Sequence, residues 1–356
     1  MNEQTLDDIQ RAAFGYFLET VNPANGLVAD TSRPGSPCSI GVVGFALSAY
    51  PVAVERGWMP RAAAVDRTLA ALRFFRDSDQ RGGRDATGFK GFYYHFLDMH
   101  SGRRVWRSEL SMMDTALLLA GALAAGRSFA SPSPEETELR GLVDTLYRRA
   151  DWRWSQDGGR TIKMGWKPES GFLNYGWEGY SEAILLYVLA LGSPTCPVEG
   201  GRESYRAWTA TYQWEHLYGY DLLCAGPLFI HQFAHAWIDF RGIRDLFMRE
   251  KRSDYFENSR RATEVQREYA RRNPHEFTGY DEHSWGLTAC DGPNNQMADL
   301  AGERRRLFGY AARGVPYGPD DGTLGGWAAL ASLPFAPETA LRAAHTMLQR
   351  YPEILA

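Results

Sequence analysis

The segment ELSMMDTALLLAGALAA, from Glu109 to Ala125, decides how this chain folds. Beyond Glu109 it is apolar nearly all round a helix, with the carboxyl group of Asp114 as the exception. A helix that is apolar on every side is buried on every side, so we expect an inner helix surrounded by other helices. A carboxylate inside such a helix requires a defined partner or a function.

Working outward, the chain alternates between two kinds of predicted helix. Further apolar segments are IGVVGFALSAY, EGYSEAILLYVLAL, PLFIHQFAHAWIDF, HSWGLTAC and GTLGGWAALASL, beginning at Ile40, Glu178, Pro227, His283 and Gly322. Amphipathic segments, with one apolar stripe, cover residues 62–75, 134–149, 255–271 and 337–349. The alternation predicts an all-α fold, an (α/α)6 barrel of about twelve helices in two rings. We expect a single domain over residues 1–356.

Composition and net charge limit the classes of molecule that the chain is expected to bind. A net charge of −4 gives no sign of nucleic-acid binding, and the apolar runs are too short to span a membrane. The four cysteines lie far apart, which indicates neither a disulfide framework nor a zinc site. The charged, amphipathic N-terminus does not resemble a signal peptide. We expect a monomer, cytoplasmic as written and periplasmic if a leader was removed.

Acidic and aromatic residues recur at the starts of the inner segments and in the loops before them. In a barrel those loops gather at one mouth, and acids among aromatics suit neutral, hydroxyl-rich ligands. Glycoside hydrolysis needs two carboxylates beside the scissile bond. The candidates are Glu109, Asp114, Glu178, Glu182, His231, Asp281, His283 and Asp320, with Trp106, Trp177, Trp285 and Tyr317.

Several of these residues have a structural alternative. Glu109 and Glu178 would be favoured at helix N-termini by the helix dipole alone. Asp114 lies about 140° around the helix from Glu109 and is expected to anchor a neighbouring loop, with catalysis as the alternative. Glu182, one turn after Glu178, would support it. His231, His235 and Asp239 form one helical stripe, but we expect hydrogen bonds there and no metal.

Five blocks of the sequence resemble the glucoamylase-like domain of bacterial proteins, whose best-known branch is glycoside hydrolase family 144, the endo-β-1,2-glucanases. They are GFYYHFLDMHSGRRVWRSELSMMDTALLLAG, NYGWEGYSEA, PLFIHQFAHAWIDFRG, WGLTACDGP and DDGTLGGWAALASLPFAPE, and the resemblance runs from about residue 26 to 337. It implies an (α/α)6 barrel, no cofactor and an acidic cleft for β-1,2-glucan. It also implies Glu178 as general acid and Glu109 as a second essential carboxylate, with Asp98 and Asp114 in the matching segment.

The expected function is therefore an endo-acting and inverting glycoside hydrolase that cleaves β-1,2-glucan into oligosaccharides. Exo-acting release of sophorose and transglycosylation are alternatives, because relatives of the family do both. A non-catalytic glucan-binding protein is an alternative of another class. As general acid, Glu178 should have a raised pKa, through burial in its aromatic loop and through a nearby Glu109.

Overall fold

The computed structural model describes residues 3–300 and 302–352. Helices account for most of its regular structure. The α-helices within the described residues are α1 (Glu3–Glu19), α2 (Ile40–Glu55), α3 (Arg61–Asp77), α4 (Met112–Ser128), α5 (Pro134–Arg149), α6 (Ala183–Leu191), α7 (Gly201–Thr209), α8 (Leu246–Glu250), α9 (Tyr255–Arg272), α10 (Gly326–Leu330) and α11 (Pro337–Arg350).

Short strands and 3-10 turns fill the connections. The strands are β1 (Cys38–Ser39), β2 (Gly88–Phe89), β3 (Phe92–Tyr94), β4 (Phe96–Leu97), β5 (Leu110–Ser111), β6 (Gly165–Lys167), β7 (Gly171–Phe172), β8 (Trp214–Leu217), β9 (Tyr220–Leu223), β10 (Ala289–Asp291), β11 (Gln296–Leu300), β12 (Glu303–Leu307) and β13 (Tyr310–Ala312). The 3-10 helices are Trp154–Gln156, Leu228–His231 and Phe233–Ala236.

Contacts between Cα atoms divide the chain into two compact units. The first unit comprises Asp7–Glu178 and Ala183–Trp208. The second unit comprises Gly179–Glu182, Thr209–Ala356 and the first six positions, as far as these are described. We describe each unit by itself.

Helix α4 forms the centre of the first unit, as its apolar sequence predicts. It contacts α2, α5 and α6, and most of its side chains are buried. The approach of α2 to α4 is set by two glycines, because a methyl group at Gly121 would overlap the carbonyl oxygen of Gly44. Glycine at this crossing lets the two backbones touch.

We expect Gly121→Ala to destabilise the protein by about 1–3 kcal/mol, because a packed crossing cannot absorb an added methyl group without moving a helix. The control is Gly141→Ala on α5, where an added methyl group meets no atom within 4 Å. Alanine favours a helix over glycine by up to about 1 kcal/mol, so this control should be neutral or stabilising. Urea unfolding of both variants measures the difference, and equal stabilities would contradict the tight crossing.

The amphipathic helices are confirmed close to their predicted bounds. Helices α3 and α5 pack against each other in the first unit, and α9 and α11 lie in the second. Ser133 caps α5 by accepting a hydrogen bond from the amide of Glu136, and Pro134 occupies the first turn. The core of the second unit forms around α9, from residues such as Leu228, Val265, Trp285 and Met347.

Three of the predicted inner helices differ in the structure. The segment that begins at Pro227 forms two separate 3-10 helices, interrupted where the φ of Gln232 is −115°. The buried side-chain amide of Gln232 donates hydrogen bonds to the carbonyl of Ala328 and to the hydroxyl of Ser332. The periodicity of the local sequence cannot indicate such distant contacts. HSWGLTAC is not helical, since Gly286 has a φ of 133°, and GTLGGWAALASL yields only the five residues of α10.

A five-stranded antiparallel sheet, which the all-α prediction did not include, leads into α4. Its order is β2-β3-β5-β6-β7, with Tyr93 opposite Ser111 and Leu110 opposite Trp166. The aromatic run Phe92–Tyr94 is fully buried, which suits a strand. Helices dominate, as predicted, while the barrel arrangement and the single domain stay predictions. No helix of residues 3–300 and 302–352 is both long and apolar enough to cross a bilayer.

Candidate active site

The carboxylate of Glu109 lies where the sheet meets helix α4. Helix α4 begins at Met112, so Glu109 precedes strand β5 and does not belong to the helix. The predicted angle of 140° between Glu109 and Asp114 is therefore wrong. Asp114 lies in the first turn of α4, where its amide donates to the hydroxyl of Ser111 at 3.0 Å. That hydroxyl donates to the Asp114 carboxylate at 2.5 Å.

His95 lies between these two carboxylates. Its Nδ1 is 3.0 Å from Oε1 of Glu109, and its Nε2 is 3.5 Å from Oδ2 of Asp114. Its amide also donates to the carbonyl of Glu109 at 2.9 Å, so the two residues form an opposed pair across strands. The carboxylate of Asp114 therefore has two partners, the hydroxyl of Ser111 and this imidazole.

Charge and hydrogen bonding at this cluster shift two pKa values. Burial opposes protonation of His95, but the carboxylates of Asp114, Glu109 and Asp30 outweigh it and raise the pKa of His95. The hydrogen bond from His95 lowers the pKa of Glu109 against the effect of burial, helped by the charge of Lys167. Glu109 is therefore held as a carboxylate, which suits a base or a charge-stabilising group better than a proton donor.

A row of rings leads from His95 to the protein surface. His95 stacks on Phe96 with centroids 3.9 Å apart, and Phe96 contacts Trp106 at 5.1 Å. Trp106 is 69% exposed. It borders a cleft of about 570 Å³ whose walls also include Asp98 and Arg33. An exposed indole beside a cleft offers a flat apolar face to a ligand.

Two polar side chains, the half-buried Asp98 and the buried Arg104, shape the loop that carries Trp106. Asp98 accepts hydrogen bonds from the amide and the hydroxyl of Ser101, both at 2.7 Å, which closes a turn and lowers the pKa of Asp98. Arg104 donates to the carbonyl of Ser108 at 2.5 Å and to both carboxylate oxygens of Glu169. Trp106 itself has a φ of 56°, in the left-handed region that non-glycine residues avoid.

Glu178 lies between strand β7 and helix α6. The amide of Trp177 donates to the carbonyl of Ile162, and the hydroxyl of Thr161 donates to Glu178 at 3.3 Å. The buried Tyr187 of α6 donates to the carbonyl of Trp177 and accepts from the amide of Ile162. Glu178 is exposed and lies outside α6, so neither its predicted burial nor its predicted place at a helix start is found.

One stretch of chain borders both glutamates. Strand β6 pairs with β5 directly beside Glu109, through Leu110 opposite Trp166. Three residues earlier Lys163 bridges to Gly176, two residues before Glu178. Residues 161–167 therefore lie beside both predicted catalytic glutamates of the first unit, through strand β6 at Glu109 and through Thr161 at Glu178.

In the second unit, two predicted ligand-binding residues are buried. Trp285, which the sequence predicts to bind substrate, has no exposed surface and packs in the core. His231 is also buried, and burial lowers its pKa to about 4. Its neutral ring can donate from Nε2 to the carbonyl of Ala225, 3.3 Å away, and accept at Nδ1 from the amide of Asn258.

The other predicted residues of the second unit have partners of their own. Asp320 accepts hydrogen bonds from the hydroxyls of Tyr269 and Tyr280, both at 2.7 Å. Asp281 pairs with Arg350 at 2.6 Å. Tyr317 is exposed, and its hydroxyl contacts Glu215. Nε2 of His283 lies 3.6 Å from Oε1 of Glu282. Glu182 is half-buried. Their meeting with the glutamates at one pocket stays a prediction.

His235 contacts the hydroxyl of Ser259 at 3.0 Å and lies on a different 3-10 helix from His231. The predicted single stripe of His231, His235 and Asp239 is therefore wrong. In the described part of the chain, no three His, Cys, Asp or Glu side chains converge as metal ligands.

The sequence interpretation missed three residues that organise the first unit's site: His95, Arg104 and Tyr187. His95 carried a usable signal, since it lies in FYYHFL, a run rich in aromatic residues that favours a strand over a helix. Arg104 and Tyr187 act through partners 65 and 25 residues away, Glu169 and Ile162. Such distant pairings leave no local pattern.

Known proteins resemble the chain over nearly its whole length. A curated relative is the exo β-1,2-glucooligosaccharide sophorohydrolase (non-reducing end) of Parabacteroides distasonis, 26% identical over 387 aligned positions, covering 99% of this chain and 50% of the relative. The chain thus spans about half the length of this curated relative. A crystal structure described as a putative glucoamylase from Bacteroides uniformis is 28% identical, with a TM-score of 0.84, covering 96% of this chain and 80% of the other.

A third likeness concerns the fold alone. The endo-β-1,2-glucanase of Chitinophaga pinensis, solved with sophorotriose and glucose, is 24% identical with a TM-score of 0.79, covering 98% of this chain and 82% of that protein. The names of the sophorohydrolase and of the Bacteroides uniformis protein agree with the expected class, a glycoside hydrolase.

A protein-family model named Glycoamylase and described as "Putative glucoamylase" matches residues 174–356. This match confirms the resemblance that the sequence blocks indicated. Because the matched residues make up just over half of the chain, the chain belongs to this glucoamylase family.

Proposed function

We propose that this chain is a glycoside hydrolase that cleaves β-1,2-glucan. The observation that carries the proposal is the pair of glutamates beside residues 161–167, of which Glu109 is held ionised by His95. Glycoside hydrolysis requires one carboxyl group that gives a proton and one that is ionised. The β-1,2-linked substrate is suggested by the names of the curated relative and of the Chitinophaga enzyme.

In the proposed mechanism Glu178 donates a proton to the glycosidic oxygen as the bond to the anomeric carbon breaks. A bound glucan would cover the exposed Glu178 and remove its water, which favours the neutral form of a carboxyl group. Glu109 is the ionised partner, either as the base that takes a proton from the attacking water or as a charge that stabilises the oxocarbenium ion. For the proposed inverting reaction the two carboxyl groups should be about 6.5–9.5 Å apart in the complex.

The cleft beside Trp106 is proposed as part of the glucan-binding surface. An exposed indole buries apolar area against the face of a glucose ring, worth about 1–2 kcal/mol. We therefore expect Trp106→Ala to raise KM about fivefold to thirtyfold with a smaller change in kcat. Kinetics on linear β-1,2-glucan measure it, with the exposed Tyr351→Ala as control. A fall in kcat alone would assign Trp106 to the loop's structure.

Endo action is proposed in line with the sequence interpretation, although the curated relative is named as an exo-acting enzyme. Incubation with linear β-1,2-glucan and measurement of product lengths decide the mode. A ladder of oligosaccharides supports endo action, sophorose alone supports exo action, and longer or cyclic products support transfer. Binding without any cleavage would favour a glucan-binding protein. We also propose that the chain is a monomer with one (α/α)6 barrel.

A further inference from the structure

We propose that His95 is a positioning residue that keeps Glu109 ionised, and that Asp114 keeps His95 charged. The kinetic part of this inference rests on the proposed function, whereas the electrostatic part does not. It gives Asp114 a role that is neither directly catalytic nor merely a loop anchor.

The geometry makes His95 a two-sided donor. Its Nδ1 faces Glu109 at 3.0 Å and its Nε2 faces Asp114 at 3.5 Å. Neither carboxylate can donate to the ring while ionised, so both contacts are satisfied only when both ring nitrogens carry protons. An imidazolium between two carboxylates meets this condition.

Neighbouring groups hold the ring in that orientation. Phe96 stacks against one face at 3.9 Å and 12°. The backbone of His95 is paired on both sides, because its amide donates to the Glu109 carbonyl and its own carbonyl accepts from the amide of Ile40. The ring therefore has little freedom to leave Glu109.

Asp114 is held in turn at the start of α4. Its carboxylate accepts from the hydroxyl of Ser111 at 2.5 Å, and the first turn of a helix favours negative charge. The other charged groups that act on the pair are Asp30, which favours the cation on His95, and Lys167, which favours the anion on Glu109. Each of these two charges favours the ionised form of the residue on which it acts: Asp30 that of His95, and Lys167 that of Glu109.

The consequence concerns the low-pH side of activity. Glu109 becomes protonated as the pH falls, and the positive charge of His95 shifts this protonation to lower pH. Removing an opposite charge at hydrogen-bond distance raises a carboxyl pKa by about 1–3 units. In His95→Gln the glutamine amide can still donate a hydrogen bond to Glu109, but it carries no charge. The variant therefore separates the effect of the charge from the effect of the hydrogen bond.

The test titrates Glu109 directly, by carbon NMR of the folded protein with labelled glutamate carboxyl groups, using Glu109→Gln to identify the signal. In His95→Gln the midpoint of Glu109 should rise by at least about one pH unit. In Asp114→Asn the midpoint of His95, read from its ring nitrogens, should fall. The control is His216→Gln, which removes an exposed histidine 2.8 Å from Asp221 and should leave Glu109 unchanged.

The same variants are then assayed for cleavage of β-1,2-glucan. The loss of activity in His95→Gln should be at least about twofold larger at pH 5 than at pH 7, because the acidic limb moves with Glu109. An unchanged Glu109 midpoint, or an equal loss at every pH, would overturn the proposal and leave His95 a structural role. If the unaltered protein cleaves no glucan, the proposed function fails, and the titration still decides the charge relation among the three residues.

Discussion

Replacing Glu178 with Gln should reduce turnover of β-1,2-glucan by about 10²- to 10⁴-fold while leaving glucan binding within a few-fold. Glutamine keeps the shape of the side chain and its contact with the hydroxyl of Thr161, but it has no acidic proton to give. Because Glu178 is exposed, the substitution adds no buried polar group and should not change the thermal unfolding temperature.

The measurement is kcat on natural glucan together with calorimetric binding of the same glucan. The control is Glu203→Gln, an exposed glutamate on α7, which should keep the normal rate. A substrate with a highly acidic leaving group needs little proton donation, so its cleavage by Glu178→Gln should fall much less. A near-normal rate on natural glucan would assign the proton donor to another residue.

The largest expected effect on stability comes from Asp321→Asn in the second unit. Asp321 and Arg313 form a fully buried ion pair, with Nε–Oδ1 and Nη2–Oδ2 distances of 2.6 and 2.7 Å. The guanidinium also donates to the carbonyls of Cys290 and Phe308. Removing one partner leaves a buried charge uncompensated, so we expect a loss of about 3–5 kcal/mol in the free energy of unfolding.

This pair also predicts a dependence of stability on pH. Burial alone would raise the pKa of Asp321, but hydrogen bonds from Arg313 and from the amide of Phe308 lower it to about 2. A lowered pKa in the folded state means that the contribution is complete above about pH 4 and is lost as the pH falls toward 2. Asp321→Asn should remove this dependence.

Urea unfolding between pH 2.5 and 7 measures both effects. The matched control is Asp239→Asn, which breaks an exposed pair with Arg241 at 3.1 Å and should cost less than about 1 kcal/mol. Equal losses in the two variants would contradict the importance of burial. Replacing Arg313 and Asp321 together by Met and Leu should be less harmful than Asp321→Asn, since no lone charge remains.

The sequence predicted those parts of the fold whose cause is local. Helices α4, α5 and α9 follow from runs of apolar residues or from one apolar stripe, and Ser133 with Pro134 marks the start of α5. The 3-10 helices after Pro227 were not predictable in this way, because the hydrogen bonds of Gln232 to Ala328 and Ser332 reach about 100 residues along the chain.

The candidate site likewise has parts that could be predicted from local sequence and parts that could not. Glu109, Asp114 and Trp106 could be selected from residue type and position, and the structure gives each a defined environment. Their relation could not be predicted, because it depends on His95 lying opposite Glu109 across a sheet that the helical pattern concealed. Trp285 lies in the core, because an aromatic residue in a loop-like sequence can serve packing as well as ligand binding.

The loop of Trp106 and the helix of Asp114 differ in how they are attached. Helix α4 is packed by three neighbouring helices, whereas the loop from Asp98 to Ser108 is held by hydrogen bonds, such as those of Arg104 to Glu169 and of Thr87 to the carbonyl of Gly102. Changes at the exposed Trp106 should alter which sugars are accepted while leaving the contacts of His95 with Glu109 and Asp114 in place. Natural or laboratory selection can therefore change the range of sugars that this loop binds with little effect on the catalytic groups.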